Sequence, residues 1–401
     1  MIQGTYSGDG DGGMLDCKCK KTHISLQSIT EASLPEMQRK YFQEGSNILY
    51  GAGFTGQRFL VMLTNLGVRI DYFVDDSPVK VDTEIGGCRV LSFADMEERA
   101  ERHRMNVIIA TIYGNTVLCK LQSLPVKIFE AFELYQQNYG ESLAQNLTLA
   151  MPKKEWFSKL QAVKALCDDQ ESQKVLDTYQ EAVRKDVFEF AKISAVASQE
   201  DHYFVSEIRK TLLGIQKPLR IVDCGAYVGD IFWQLERWKI PIERLYAYEA
   251  SEDIFKKLEE NVQKQGMSDK TVLFPFACWN EETDLYFDSS PGEDTAGTIV
   301  CRGGKKVRAK RIDDTVMEPI DFLKTDIEGA ERAALRGAVR TLLESRPCLA
   351  ISIYHSLDDV VDLPLYLAGL LDGYHWFIRH HSLIWCETVL YGIPKLRKEN
   401  T

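Results

Sequence analysis

Apolar positions along this chain follow two alternating rhythms. Short unbroken runs, which predict strands, give way to stretches in which apolar residues return every three or four positions, which predict helices. Asn47-Ile48-Leu49-Tyr50 predicts a strand, Gly51-Ala52-Gly53-Phe54-Thr55-Gly56 a glycine turn, and residues 57–66 a helix with Phe59, Leu60, Leu63 and Leu66 on one face. Val68 to Val74 predicts the next strand, closed by Asp75-Asp76-Ser77-Pro78, and residues 89–92, 106–111 and 126–129 predict three more. Residues 134–213 read as a helical connector. Phe157, Leu160, Val163 and Leu166 keep one face there, Leu176, Tyr179 and Val183 another, with Asp168-Asp169 as a break and N-cap between them. From Leu219 the alternation resumes. Strands are expected to end at Asp223 and over 245–248, 271–277, 320–325 and 349–354, with helices over 230–238, 254–265, 330–344 and 363–371. A hairpin-like excursion falls at 285–311, and 376–380 and 388–391 form a closing strand pair. Five strand–helix steps and a strand pair make a seven-stranded α/β sheet. Two separate glycine-turn units predict two Rossmann-like domains. The division expected is a tail over 1–44 (helical near 35–42), a first domain over 45–133, a helical connector or cap over 134–214, and a second domain over 215–401.

Length and composition agree with this. A chain of 401 residues, 45% hydrophobic and 27% charged, can bury two cores. The net charge of -11 argues against a nucleic-acid partner, which would call for clustered Lys and Arg. Residues 1–13 are polar and Gly/Asp-rich, with no apolar signal region, and no stretch approaches the roughly 20 apolar residues that span a bilayer. A reducing cytoplasm is the expected location. Ten cysteines are scattered, and Cys119, Cys167, Cys278 and Cys348 sit among apolar residues, as small hydrophobes do. Cys17-Lys18-Cys19 lacks the second pair that a metal site requires, and no metal is expected.

The chemistry concentrates at strand ends, where open parallel sheets bind ligands. Asp223-Cys224-Gly225-Ala226-Tyr227-Val228-Gly229 is a strand, glycine turn and helix start, and Glu249 follows roughly 20 residues on, the spacing at which an acid accepts both hydroxyls of a ribose. An acid at Asp223 would repel a dinucleotide pyrophosphate and suits a cofactor that carries positive charge, such as S-adenosylmethionine. Ala277-Cys278, Asp326 and His355 follow the third, fourth and fifth strands. Abstracting a proton from an acceptor hydroxyl needs a base. His355, with an ordinary pKa near neutral, is the first candidate. Asp326 is the base, the orienter of His355, or a metal ligand; Glu328 and Glu331 belong to the site or merely cap the helix start. A metal on Asp326, Glu328 and His355 is set aside, because alternating positions do not converge without a bend. Of His380 and His381, at most one faces the cleft. The basic run from Lys305 to Arg311 reads as a solvated strand face, with recognition of an anionic acceptor as the alternative.

Taken together, Asp223-x-Gly225-Ala226 with Gly229, Tyr248-Glu249, Asn261, Lys324-x-Asp326-x-Glu328-Gly329-Ala330-Glu331, Leu335-Arg336-Gly337-Ala338, Ile351-Ser352-Ile353-Tyr354-His355 and Glu387-Thr388-Val389-Leu390-Tyr391 resemble the FkbM-type family of S-adenosylmethionine-dependent methyltransferases. The resemblance covers about residues 219–393, and the D-x-E-G-A-E stretch is its most specific part. It implies a class I methyltransferase sheet and methyl transfer, usually to oxygen, on sugars or natural products. Asp223, Gly225 and Gly229 would line the methionine end of the cofactor and Glu249 would hold its ribose, with Ala226, Ala277 and Asp326 completing the wall. Asp326, Glu328 and His355 would carry the catalysis, on a small-molecule or glycan acceptor. His202-Tyr203-Phe204 looks like the helical lead-in of longer members, with Tyr203 or Phe204 packed near the cofactor.

In the first domain Gly51, Gly53 and Gly56, with Asp75 after the second strand, fit a dinucleotide fingerprint. The same stretch resembles small Rossmann-like domains of sugar-modifying enzymes. A nucleotide-linked acceptor, a structural role and a homo-oligomer contact all stay open for it. So do two rival readings of the whole chain, in which an NAD- or nucleotide-sugar-dependent enzyme works from this domain or the protein is a nucleotide sensor.

Overall fold

A computed structural model of the chain describes residues 23–25, 42–130, 155–167, 169–184, 187–188, 190–289, 297–300, 304–383 and 386–395. The helix expected near 35–42, the Cys17–Cys19 pair, the start of the connector at 134–154 and the Pro291-Gly292 turn lie wholly or mostly outside the described residues.

The first sheet contains β1 (His23–Ser25), β2 (Ser46–Tyr50), β3 (Tyr72–Val74), β4 (Glu84–Ile85), β5 (Cys88–Leu91), β6 (Met105–Ile109) and β7 (Lys127–Glu130), in the order β1-β7-β6-β2-β3-β5-β4. All neighbours run parallel except β4 against β5. The chain leaves β2 for β3 on one side and later pairs β6 on the other, so the topological switch lies beside the Gly51 turn. The strand expected over 68–74 forms ladder pairs only from Tyr72. Val68 and Ile70 are nonetheless buried, because irregular backbone packs their side chains into the core.

After a small ribbon of β8 (Val183–Arg184) and β9 (Val187–Phe188), the second sheet takes β10 (Leu219–Cys224), β11 (Ile242–Tyr248) and β12 (Thr271–Phe274). The chain then leaves it for β13 (Ala277–Cys278), β14 (Thr283–Ser289), β15 (Gly297–Val300) and β16 (Lys305–Lys310), and returns with β17 (Phe322–Thr325), β18 (Cys348–Ser352), β19 (Tyr374–His380) and β20 (Thr388–Pro394). The order is β12-β11-β10-β17-β18-β20-β19, with β20 alone reversed. This is the expected doubly wound α/β sheet, and its switch point lies between β10 and β17. Helices 206–214, 230–237 and 252–264 cover one face, and helices 155–166, 170–182, 331–336, 339–345 and 359–370 the other.

Four expectations change. The strand expected over 271–277 splits, because Ala277–Cys278 pairs with β16 in a separate four-stranded sheet. The hairpin-like excursion forms as expected, β14 antiparallel to β15 and β16, and is part of that sheet. The helix expected over 330–344 breaks at Gly337-Ala338. There a Cβ on residue 337 would run into the Trp279 carbonyl, and Asp313 caps the restart by accepting from the Arg340 and Thr341 N–H groups at 3.0 and 2.9 Å. Phe157 is exposed; Trp156 takes the core position, donating to the Leu357 carbonyl at 2.6 Å. Cys119 is exposed, whereas Cys167, Cys278 and Cys348 are buried as expected. Asp169 caps helix 170–182 through the Ser172 N–H, as the sequence predicted. Among the described residues no helix is long and apolar enough to cross a membrane.

Candidate active site

The loop after β10 is built by its glycines and by the acid on the neighbouring strand. Gly225 has φ +79°, and a Cβ there would strike the Asp326 carbonyl. Gly229 has φ +92° and begins helix 230–237 against the Phe232 ring. Ala226 is buried, and Asn261 donates to the Val228 carbonyl at 2.8 Å, fixing the far side of the turn. Glu249, at the tip of β11, accepts from the Tyr227 N–H at 3.1 Å and the Ser251 N–H at 2.8 Å. Burial pushes its carboxyl up to about 7, although those two donors favour the charged form.

Asp223 is less free than its sequence position suggests. It is buried and paired with the equally buried Lys324, 2.9 Å away, whose ammonium also donates to the Gly225 carbonyl at 2.7 Å. Burial, partly offset by Lys324, raises the Asp223 carboxyl. In the sequence alone Lys324 carries no evident role. The available signal was a lysine inside an otherwise apolar strand and two positions before Asp326, hence on the same face. Ala277 is buried as the first residue of β13.

Asp326 anchors the other side. It accepts from the Tyr203 hydroxyl at 2.6 Å and the Tyr354 hydroxyl at 3.1 Å. His355 Nε2 stands 3.5 Å from Asp326 Oδ1 and 3.4 Å from Glu328 Oε2, and its Nδ1 stands 3.2 Å from Glu331 Oε1. Burial alone would depress His355, but Glu331 and Glu328 outweigh it and hold the imidazole well above its ordinary range. Burial likewise works against the charged Asp326, and His355 and Lys324 keep its carboxyl low. Burial raises Glu328. The residues proposed for catalysis therefore do meet, together with Glu331, whose Oε1 accepts from the Ile327 N–H at 2.8 Å.

Tyr203 does face this group, whereas Phe204 is core, packed on Phe322. His202 stacks on Tyr203 with ring centroids 3.6 Å apart, and its Nε2 lies 3.0 Å from Glu387 Oε2. His380 and His381 are both buried, His381 with its ring centroid 5.2 Å from that of His202. They bond Thr388 Oγ1 and the Tyr391 hydroxyl, each at 2.8 Å. Seven described non-glycine residues have positive φ, and Tyr203, Tyr227, Glu328 and Glu387 all belong to this region. Backbone held in that conformation costs on the order of 1–3 kcal/mol per residue and persists where surrounding structure demands it.

The first sheet reaches the same cleft. After β6, the Ile112 carbonyl accepts from the Leu383 N–H at 2.7 Å, and the Tyr113 hydroxyl lies 3.4 Å from His202 Nδ1. Lys80 and Asp75 act electrostatically on Asp230, at the start of helix 230–237. In the first domain's own crevice Asp75 accepts from the Ala52 N–H at 2.7 Å and the Ser77 N–H at 2.9 Å, with Lys80 at 3.4 Å. Gly51 has φ +116°, and a Cβ on Gly56 would overlap the Gly51 carbonyl; Gly53 has open space up to Lys80. The basic run is ion-paired on the outside of the four-stranded sheet, Lys305 to Glu252 at 2.8 Å, Lys306 to Asp284 at 2.7 Å, and Arg308 to Glu282.

A parallel sheet with one reversed strand, and with acids at the tips of its first, second and fourth strands around a glycine turn, defines a methyltransferase-type α/β domain. Residues 223–374 match the family model of the methyltransferase FkbM domain, and the chain carries such a domain. Similar solved structures include the methyltransferase FkbM from Methylobacillus flagellatus KT, 20% identical over 91% of this chain and 94% of that one, with a TM-score of 0.43. An rRNA methylase from Streptococcus thermophilus is 18% identical over 47% of this chain and 94% of its own, with a TM-score of 0.33. UDP-D-quinovosamine 4-dehydrogenase from Vibrio fischeri is 21% identical over 24% of this chain and 86% of its own, with a TM-score of 0.21. No curated protein matches the chain.

Proposed function

We propose that this protein is an S-adenosylmethionine-dependent methyltransferase that methylates a hydroxyl of a sugar-containing acceptor. The observation that carries the reading is one edge of the second sheet, where Glu249 on one side and Asp326, Glu328 and His355 on the other flank the Gly225 turn. The donor set suits a cationic cofactor. Asp223, Glu249 and Asp326 bring three carboxyls to this edge beside Lys324, and each Glu249 oxygen accepts a single N–H, leaving lone pairs for ribose hydroxyls. When bound, S-adenosylmethionine supplies a methyl carbon activated by a sulfonium. The chain's residues do the rest. Glu249 and the Gly225 turn fix the cofactor's orientation, and Tyr203 and Tyr354 hold Asp326 in place. Glu328, whose carboxyl burial raises, receives the acceptor's proton beside the Asp326–His355 pair; His355 does not, because the carboxylates keep it protonated. The carboxylates of Asp326 and Glu387, beside Tyr203, Tyr354 and His202, are acceptors of the kind a sugar's hydroxyls call for.

The domain division at residues 45–133, 134–214 and 215–401 is proposed with it. A second reading gives the first domain a nucleotide, favoured by the Gly51–Gly56 crevice with Asp75 at its strand tip. The test is single-turnover methyl transfer with a panel of sugar acceptors. Asp326→Asn is expected to lower the rate about 100-fold or more while S-adenosylhomocysteine still binds. Full activity in that variant overturns the assignment of the site.

A further inference from the structure

Both ring nitrogens of His355 face carboxylates. Nδ1 stands 3.2 Å from Glu331 Oε1, and Nε2 stands 3.4 Å from Glu328 Oε2 and 3.5 Å from Asp326 Oδ1. A neutral imidazole has one N–H to donate, so carboxylates on both edges call for the imidazolium, which has two. The turn at Glu328 (φ +56°) and Gly329 (φ +92°) carries the chain past the ring, and Glu328 and Glu331 meet it from opposite edges. Glu331 is the most enclosed of the three acids. Its side chain is 1% exposed, against 23% for Asp326 and 31% for Glu328. An acceptor in the cleft can reach Asp326 and Glu328, whereas Glu331 acts through His355. Nor does Glu331 cap its own helix. It is the first residue of helix 331–336, and its Oε1 accepts from the Ile327 N–H, four positions earlier, at 2.8 Å. A glutamine oxygen would accept that bond equally well, so the bond gives no reason for a buried charge. The imidazolium beside it does.

We propose that Glu331 is a positioning residue: it fixes the charge and the direction of the His355 ring, and through that ring keeps Glu328 ready to take the acceptor's proton. The role rests on the methyltransferase reading; the pairing of Glu331 with His355 does not. Burial raises the Glu328 carboxyl and His355 lowers it, so a neutral ring would leave Glu328 protonated to a higher pH. As the acceptor O–H bond breaks, the proton passes to Glu328, the oxygen electron pair forms the O–CH₃ bond, and the C–S electron pair leaves with sulfur. Other groups surround the ring. Tyr354 lies against it with centroids 4.1 Å apart and donates to Asp326, which Lys324 and the Tyr203 hydroxyl also serve. Asp359, at the start of helix 359–370, feels both His355 and Glu331, and burial pushes its carboxyl up to about 6. The Cys386 thiol feels Glu328 and is pushed up by burial, so it stays neutral. Among the described residues Glu331 alone is ion-paired with Nδ1.

The experiment is ¹⁵N NMR of the histidine-labelled full chain across pH, with the His355 ring signals assigned by their loss in His355→Gln. In the wild type both ring nitrogens are expected to keep imidazolium shifts up to about pH 8, whereas an ordinary histidine loses its charge near about 6.5. In Glu331→Gln the charge is expected to be lost about one pH unit lower or more, and Glu331→Asp is expected to restore most of the difference. Single-turnover methyl transfer on the same variants reads the link to Glu328. Its acid limb should move toward higher pH by about one unit in Glu331→Gln and return in Glu331→Asp, with S-adenosylhomocysteine affinity by calorimetry unchanged. A wild-type ring already neutral at about pH 7.5 overturns the proposal without any variant having to fold. A ring titration unmoved by Glu331→Gln also overturns it, as does a moved ring with an unmoved acid limb. A charged ring in a chain that binds no S-adenosylhomocysteine keeps the pairing and overturns the methyltransferase reading instead. S-adenosylhomocysteine bound beside a neutral ring does the reverse.

Discussion

Glu249 is a carboxylate held in a place that disfavours its charge, and this makes its ionisation a readout of the cofactor site. Its folded pKa of about 7 lies above the ordinary 4.5, so between those values the folded chain holds a proton that the unfolded chain has lost. Its contribution to stability is therefore present below the ordinary value and is lost as pH rises through about 7. Ribose hydroxyls donate to the ionised form, so cofactor affinity should move the opposite way. Calorimetry is expected to show S-adenosylhomocysteine binding tighten from about pH 6 to about pH 8, and Glu249→Gln should bind more weakly with a flat profile. A wild-type profile that is itself flat would remove Glu249 from the cofactor contact. Other residues gained their meaning only from their neighbours. Lys324 reads as a stray charge in a strand until Asp223 is placed 2.9 Å from it, and the pair then settles two buried charges at once.

At the level of elements, apolar spacing located the strands and helices but not where packing interrupts them. Residues 330–344 keep helical periodicity throughout, and the break at Gly337 comes from the Trp279 carbonyl lying against it. Gly337→Ala is accordingly expected to cost about 1–3 kcal/mol in chemical denaturation. Gly214→Ala, with nothing within 4 Å of the added Cβ, should be neutral or slightly stabilising. Equal effects at the two sites would refute this account of the helix break. The turn at Glu328-Gly329 follows the same logic. The D-x-E-G-A-E stretch announced a strand-to-helix junction, while the turn at Glu328-Gly329 set Glu328 against His355 Nε2 and Glu331 against its Nδ1.

On the scale of the whole molecule, the C-terminal edges of the two sheets face each other. Ile112 and Tyr113 follow β6 of the first sheet, and they meet Leu383 and His202 at the edge of the second. His202 in turn stacks on Tyr203, which bonds Asp326, so the first domain touches the proposed acceptor site through three residues in contact. Tyr113→Ala is expected to raise the acceptor KM several-fold with S-adenosylhomocysteine affinity unchanged. Steady-state kinetics beside calorimetry will check this, and a loss confined to cofactor binding would count against it.

The sequence by itself determined the two α/β units, the order of strands and helices, and the acids at the strand tips, because these follow from local periodicity and from glycines that turns require. Asp223, Gly225, Glu249, Asp326 and His355 were legible for that reason. Only the tertiary structure decided that Lys324 neutralises Asp223, that Glu331 joins His355, and that Tyr113 from the first sheet reaches the second domain's cleft. Those pairings join residues 24 to 101 positions apart, and no local pattern encodes which distant side chain burial will bring against a charge.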